Sequence, residues 1–193
     1  MISTTTVRHK LADLATAADA LAELCEPFVA PGASFSPYCV AVQPVHIPTA
    51  DRRCLAHREH MTEVLENHHG KAMAVQVHEY KQEGNWYSRK ITLTPGTESR
   101  KIIECGIVRM DFRYMSDEVR DEILSRRTPL GRVLIKHNVL RWIEPLWFVQ
   151  LPPGSDVMKL FGVDTSEPVF GRIAVIYCNG EPAIDLLEIV TNA

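Results

Sequence analysis

Hydrophobic and polar residues alternate through the second half of the chain, which predicts β-strands. Met73, Val75 and Val77 alternate with small or polar residues, and side chains two positions apart share one face of a strand. Short turns join neighbouring strands at 83–85 and at Asn179-Gly180, which favours antiparallel pairing. The six predicted strands begin at Lys71 and at Trp86 and then span 101–110, 140–151, 168–178 and 181–190.

Helical spacing of apolar residues predicts helices in the first half and in one internal segment. The first runs from about Val7 to Leu24, a second runs from about Thr49 to Gly70, and Ser116 caps a third that ends near Arg126. Thr128-Pro129 starts a fourth helix. The 38–47 segment contains a proline and is at best a short edge strand. Strands with segregated helices predict an α+β fold with one six-stranded antiparallel sheet and helices on one face.

Composition narrows the class of protein. A length of 193 residues suits a single domain over 1–193, and a net charge of −3 disfavours nucleic-acid binding. No apolar stretch is long enough for a membrane span, and Asp13, Asp19 and Glu23 interrupt any apolar core of a signal peptide. The five cysteines are an odd number without a C-x-x-C pair, so we expect free thiols and a cytoplasmic location.

Two charged residues fall on apolar strand faces. Arg89 shares a face with Tyr87 and Ile91, and Glu188 shares a face with Leu186 and Val190. A buried charge costs several kcal/mol unless it is paired or changes its protonation state. One interpretation is a structural ion pair between Arg89 and Glu188. The other is a cavity with a carboxylate-binding guanidinium at one end and an acid of raised pKa at the other.

Other candidate groups give weaker signals. His57 and His60 are three residues apart on a predicted helix, and we interpret them as a solvated face rather than as metal ligands. Glu104 alternates with Ile102 and is a further candidate for an inward carboxylate. There is no glycine-rich phosphate loop, nucleophile elbow or paired-cysteine site. The sequence therefore predicts no metal and no cofactor.

Four segments, in order, resemble the bacterial chorismate pyruvate-lyase family, whose members make 4-hydroxybenzoate for ubiquinone biosynthesis. They are HMTEVLENHHGKAMAVQV at 60–77, WYSRKITL at 86–93, TPLGR at 128–132 and GEPAIDLLEIV at 180–190. The resemblance implies a six-stranded sheet with helical flaps over a buried pocket. It also implies a carbon–oxygen lyase that eliminates pyruvate from chorismate without a cofactor.

The resemblance assigns roles to five positions. Arg89 would hold the carboxylate of a small aromatic acid and act with Glu188, which would meet the oxygen at the far end of the ring, in catalysis. Met61 and Leu130, with the adjoining Gly131, stand where the family offers backbone N–H groups and flap walls to the same ligand.

The sequence departs from the family in several places. Gly106-Ile107 stands where the family has a glycine-arginine pair, and Arg109 is the nearest candidate replacement. The N-terminal helix and loop at 1–50 and the segment 152–167 have no clear counterpart. Two alternatives therefore stay open. One is a non-catalytic sensor domain, since the same fold occurs in GntR-type regulators. The other is a related enzyme acting on a different aromatic or enolpyruvyl acid.

Overall fold

The computed structural model describes residues 10–191 and contains one antiparallel sheet of seven strands. The strand order across the sheet is β1-β5-β6-β7-β4-β3-β2. The strands are β1 (Val40–Val42), β2 (Met73–Glu83), β3 (Trp86–Pro95), β4 (Glu104–Asp111), β5 (Arg141–Leu151), β6 (Val169–Cys178) and β7 (Glu181–Val190).

Six α-helices accompany the sheet. They are α1 (Ala17–Cys25), α2 (Thr49–Leu55), α3 (Met61–His69), α4 (Asp117–Ser125), α5 (Leu130–Lys136) and α6 (Asp156–Lys159). Single 3-10 turns lie at Leu11–Asp13, Glu26–Phe28, Pro44–His46 and Phe112–Tyr114. Among the described residues, every helix is too short or too polar to cross a bilayer.

The α+β class and the antiparallel pairing are confirmed, but the number of strands is not six. The additional strand, β1, lies inside the segment predicted as an edge strand at best, and it pairs with β5 at the margin of the sheet. Pro44 follows it closely and begins a 3-10 turn, which keeps β1 to three residues. The turn between β6 and β7 uses Asn179 and Gly180, both with positive φ, as such a hairpin requires.

The prediction that helices cover one face of the sheet is wrong, because both faces are covered. On one face, α1 and α6 pack against a cluster that includes Ile107, Ile173 and Leu187. On the other face, α2 to α5 pack against Val108 and Leu186 and their neighbours. Strands such as β7 are therefore buried on both sides, so their sequences are apolar at consecutive positions.

Two helix predictions need correction. The described part of the predicted 7–24 helix is a 3-10 turn followed by α1. Helix α1 starts at Ala17 because the side chain of Thr16 accepts a hydrogen bond from the Asp19 N–H. Residues 7–9 of the prediction lie outside the described residues. The predicted helix from Thr49 to Gly70 is broken at 56–60 into α2 and α3. Backbone carbonyls in this break bind a buried arginine of the sheet, described below.

Candidate ligand-binding pocket

A cavity lies between the sheet and the first turns of α3 and α5. Its volume is about 40 Å³, which is enough for a few water molecules but not for an aromatic ring. The strands supply both charged groups and apolar walls to it. The lining residues are His60, Met61, Thr62, Val75, Arg89, Ile91, Leu93, Glu104, Val108, Pro129, Leu130, Gly131, Ile176, Leu186 and Glu188.

Arg89 is the cation that enters this cavity from β3. Only 1% of the residue is exposed, and its Nε and Nη1 have no hydrogen-bond partner in residues 10–191. Burial lowers the pKa of Arg89, and the Tyr87 hydroxyl has the opposite effect because it lies close enough to interact with the guanidinium, although the geometry between them is not that of a hydrogen bond. A guanidinium nevertheless keeps its charge in a protein. The cavity therefore contains a buried positive charge with free donors, which is a site for an anion.

Glu188 also lines the cavity, but it does not pair with Arg89. Its Oε2 lies 2.5 Å from Nε of Arg172, a β6 residue with no exposed surface. The interpretation of an ion pair between Arg89 and Glu188 is therefore wrong. Arg172 is the ion-pair partner of Glu188, so the Nε and Nη1 of Arg89 are left without a partner among the described residues and can bind a ligand.

Arg172 also ties the sheet to the segment between α2 and α3. Its Nη1 donates to the carbonyl oxygens of Leu55 at 3.2 Å and His57 at 2.9 Å, and its Nη2 donates to that of Glu59 at 3.3 Å. These hydrogen bonds hold the backbone of 55–59 against the sheet at the break between α2 and α3. Sequence reasoning missed Arg172, although its spacing from Ala174 and Ile176 places it on their apolar face.

Glu104 is a second acid at the cavity wall, beside Glu188 on the neighbouring strand. It is 3% exposed, and its Oε2 has no hydrogen-bond partner among the described side chains and backbone groups. Burial and the nearby Glu188 raise its pKa well above the usual value, while Arg172 opposes this shift more weakly. Gly106 makes room at this point, since a Cβ there would lie 3.2 Å from Ile91 and 3.4 Å from Glu104.

The residues assigned to flap walls lie over the cavity. Met61 begins α3, Leu130 and Gly131 begin α5, and all three are buried. The two helices touch closely, because a Cβ on Gly131 would lie 2.9 Å from the Cβ of His60. Arg132 of α5 also forms an ion pair with Glu66 of α3. The structure thus brings Arg89, Glu188, Met61, Leu130 and Gly131 to one cavity.

Arg109 does not replace the arginine that is absent at Ile107. It projects to the opposite face of the sheet, where it binds Asp185 through Nε and Nη2 at 3.1 and 2.7 Å. Its Nη1 lies 2.5 Å from Glu23 of α1. Ile107 also faces that side and packs in the cluster under α1. Neither residue can reach a ligand in the cavity.

The histidines singled out in the sequence contact arginines. His57 Nδ1 lies 3.2 Å from Nη1 of Arg172, and His60 Nε2 accepts from Nε of Arg141 at 2.5 Å. Burial, with the neighbouring arginines, lowers the pKa of His60 to about 4. Within residues 10–191, no group of three or more His, Cys, Asp or Glu side chains is arranged to hold a metal ion.

Comparison with known proteins yields a fold rather than a family. No family model matches the sequence, and no curated protein matches it. The structure resembles PhnF from Mycobacterium smegmatis with a TM-score of 0.50 and 13% identity over 68% of this chain, and the alignment spans 63% of the PhnF chain.

Two isolated domains of known structure also match. The effector domain of the same PhnF aligns with a TM-score of 0.45 and 12% identity, covering 69% of this chain and 89% of that domain. The ligand-binding domain of a "putative GntR-family transcriptional regulator" from Bordetella bronchiseptica aligns with a TM-score of 0.42 and 12% identity, covering 62% and 83%. The likeness to PhnF shows the fold alone, which is the chorismate lyase-like α+β fold; the sheet has seven strands and not the six that the resemblance implies, and the helical flaps stay a prediction.

The comparison contradicts the prediction of a lyase. The structural likeness that reaches a TM-score of 0.50 is to PhnF and not to a chorismate lyase, so the prediction of an enzyme of chorismate or ubiquinone metabolism is wrong. The geometry agrees with this correction: Arg109 lies on the wrong face to supply the missing cation, and Glu188 is held by Arg172. The resemblance in sequence therefore predicted the α+β fold class correctly and the activity wrongly.

Proposed function

We propose that this chain is a small-molecule sensor domain that binds a small aromatic carboxylic acid without converting it. The observation that carries the proposal is Arg89, a buried guanidinium whose Nε and Nη1 have no partner in the described part of the chain. A charge held in this way destabilises the empty protein by several kcal/mol. An anionic ligand would recover that free energy by forming two parallel hydrogen bonds with the guanidinium.

The walls of the cavity favour a flat, apolar body behind the carboxylate. Ile91, Val108 and Leu186 line it from the sheet, and Leu130 lines it from α5. Most ligand pockets combine apolar walls with a few polar groups that fix the orientation of the ligand. We assign Arg89 to the carboxylate and place Glu188, neutralised by Arg172, at the wall near the far end of the ring.

The present volume of 40 Å³ means that a ring can enter only if the cavity expands. The first turns of α3 and α5 form its cover, and we propose that they act as the flaps that move. The backbone N–H groups in the first turn of an α-helix lack partners inside the helix, so those near Met61 can assist in binding the carboxylate. Movement of these helices on binding would be the signal that a sensor transmits.

Isothermal titration calorimetry with benzoate and 4-hydroxybenzoate tests the proposal. The wild type should bind at least one of them, and Arg89→Met should lose binding by about 30-fold or more, on the order of the 2–5 kcal/mol lost when one partner of a buried charge pair is removed. Arg120→Met changes a partly exposed arginine of α4 outside the cavity and should bind as the wild type does. Unchanged affinity in Arg89→Met would refute the proposal.

A further inference from the structure

Glu104 is a buried polar group that the assignment of Arg89 and Glu188 leaves unused. It lies on β4 opposite Leu93 of β3, four residues from Val108, which lies opposite Arg89. Four residues of a strand span roughly 13 Å between Cα atoms. Glu104 and Arg89 therefore enter the same cavity from positions well separated along the sheet.

The two acids at this end of the cavity have different hydrogen-bonding capacities. Nε of Arg172 donates to Oε2 of Glu188 at 2.5 Å, so this oxygen of Glu188 already has a partner. Glu104 has a free Oε2 with no partner among residues 10–191 and is nearly inaccessible to solvent. A carboxyl group in such surroundings stays neutral and offers an O–H donor.

The protonation of Glu104 depends on groups from every element around it. Glu188 on β7 and burial raise its pKa, and Arg172 on β6 lowers it. Cys54 on α2 and the adjacent Cys105 are close enough for the charge of Glu104 to raise the pKa of each thiol. Glu188 and Arg172 balance each other, so an uncharged Glu104 leaves this end of the cavity with no net charge.

We propose that Glu104 determines ligand specificity by donating a hydrogen bond to an oxygen on the side of the ligand opposite its carboxylate. The ligand class is therefore an aromatic acid with a hydroxyl or carbonyl oxygen at its far end. A far-end ammonium group gains little, because this end of the cavity carries no net negative charge. The inference rests on the proposed function and concerns the same cavity, but it uses a different residue and a different part of the ligand.

The test compares 4-hydroxybenzoate with benzoate by calorimetry at pH 6. The wild type should prefer 4-hydroxybenzoate by about three- to tenfold, the effect of one net hydrogen bond. Glu104→Ala should bind both ligands with similar affinity, whereas Glu98→Ala, an exposed change in the connection between β3 and β4, should keep the preference. A preference that survives in Glu104→Ala would overturn the inference.

A second variant keeps the test valid if alanine disturbs the fold. The pH arm uses 4-formylbenzoate against benzoate, because its carbonyl oxygen can only accept a hydrogen bond. Glu104→Gln retains an N–H donor that cannot ionise, so its preference for 4-formylbenzoate should be constant with pH, while that of the wild type should fall as the pH rises through the pKa of Glu104. Identical pH profiles in the two proteins would also overturn the inference. Binding of benzoate without any preference in the wild type refutes this inference alone. Failure of both ligands to bind refutes the proposed function as well.

Discussion

Two equally buried arginines of this protein should respond to the same substitution in opposite directions. Arg89 is 1% exposed and Arg172 is 0% exposed, and both project to the same face of the sheet. Methionine has a similar length and no charge, so Arg→Met removes the charge while it keeps most of the packing. The difference between the two sites lies in their partners.

Arg89→Met should stabilise the protein in the absence of ligand. The guanidinium loses its hydration on folding, and its Nε and Nη1 recover no hydrogen bond from the described residues. Replacing buried ionic groups with apolar residues of similar volume is neutral or stabilising by about 1–4 kcal/mol. For a chain of this length, each kcal/mol raises Tm by about 2–4 °C.

Arg172→Met should destabilise the protein by about 3–5 kcal/mol, because it breaks a buried ion pair. The variant loses the contact with Glu188 at 2.5 Å and the hydrogen bonds to the segment between α2 and α3. It also leaves the Glu188 carboxylate beside Glu104 without its cation.

Urea denaturation followed by circular dichroism measures both free energies of unfolding. Arg120→Met, at an exposed ion pair of α4, should stay within about 0.5 kcal/mol of the wild type and serves as the control. If Arg89→Met lost as much stability as Arg172→Met, Arg89 would be a structural residue with satisfied hydrogen bonds. The assignment of a free anion site would then be refuted.

Three further predictions concern pH and packing. Because the pKa of Glu104 is raised in the native state, the native state binds more protons than the unfolded state above pH 4.5. The free energy of unfolding should therefore fall as the pH rises toward the native pKa of Glu104. Urea denaturation of Glu104→Gln at a series of pH values should not show this decline. The lowered pKa of His60, about 4 against 6.5, should cost about 3 kcal/mol as the pH falls through this range, and His60→Gln should remove that loss in acid titrations. Gly131→Ala places a Cβ 2.9 Å from the Cβ of His60 and should lower the free energy of unfolding, measured in urea, by about 1–3 kcal/mol. The control Ala33→Gly, in an exposed loop, should change the free energy of unfolding by no more than about 0.5 kcal/mol.

The sequence was enough to predict which side chains share a face of each strand, and which charged residues point toward the core, because both depend on the local alternation of residues. Arg89 lies on one face with Tyr87 and Ile91, and Glu188 lies on one face with Leu186, as the period of two requires. The short β1 could not be predicted with equal certainty, since three residues carry too little pattern. Strand β1 forms because the backbone N–H and C=O groups along the outer side of β5 pair with it.

The partners of the inward charges could not be predicted, because they come from distant parts of the chain. Arg172 lies opposite Glu188 across the β6–β7 hairpin, where a bulge between Ile176 and Tyr177 shifts the register, and it also binds the carbonyls of Leu55 and His57 more than 100 residues away. Arg109 likewise finds Glu23 on α1 across the opposite face of the sheet. Alternation assigns a side chain to a face, but only the packed structure shows which charges neutralise each other. The prediction of catalysis was made without knowledge of these partners, and it was wrong.

A crystal structure of the protein with 4-hydroxybenzoate would test the assignment of the pocket most directly. We predict that the ligand lies between the sheet and the first turns of α3 and α5, with its carboxylate at hydrogen-bonding distance from Nε and Nη1 of Arg89. The first turns of these helices should have moved apart to admit the ring. A second cavity, of about 460 Å³, lies on the other face of the sheet and is lined by Trp86, Asp111, Val175 and Tyr177 among others. A ligand bound there or elsewhere would contradict the assignment.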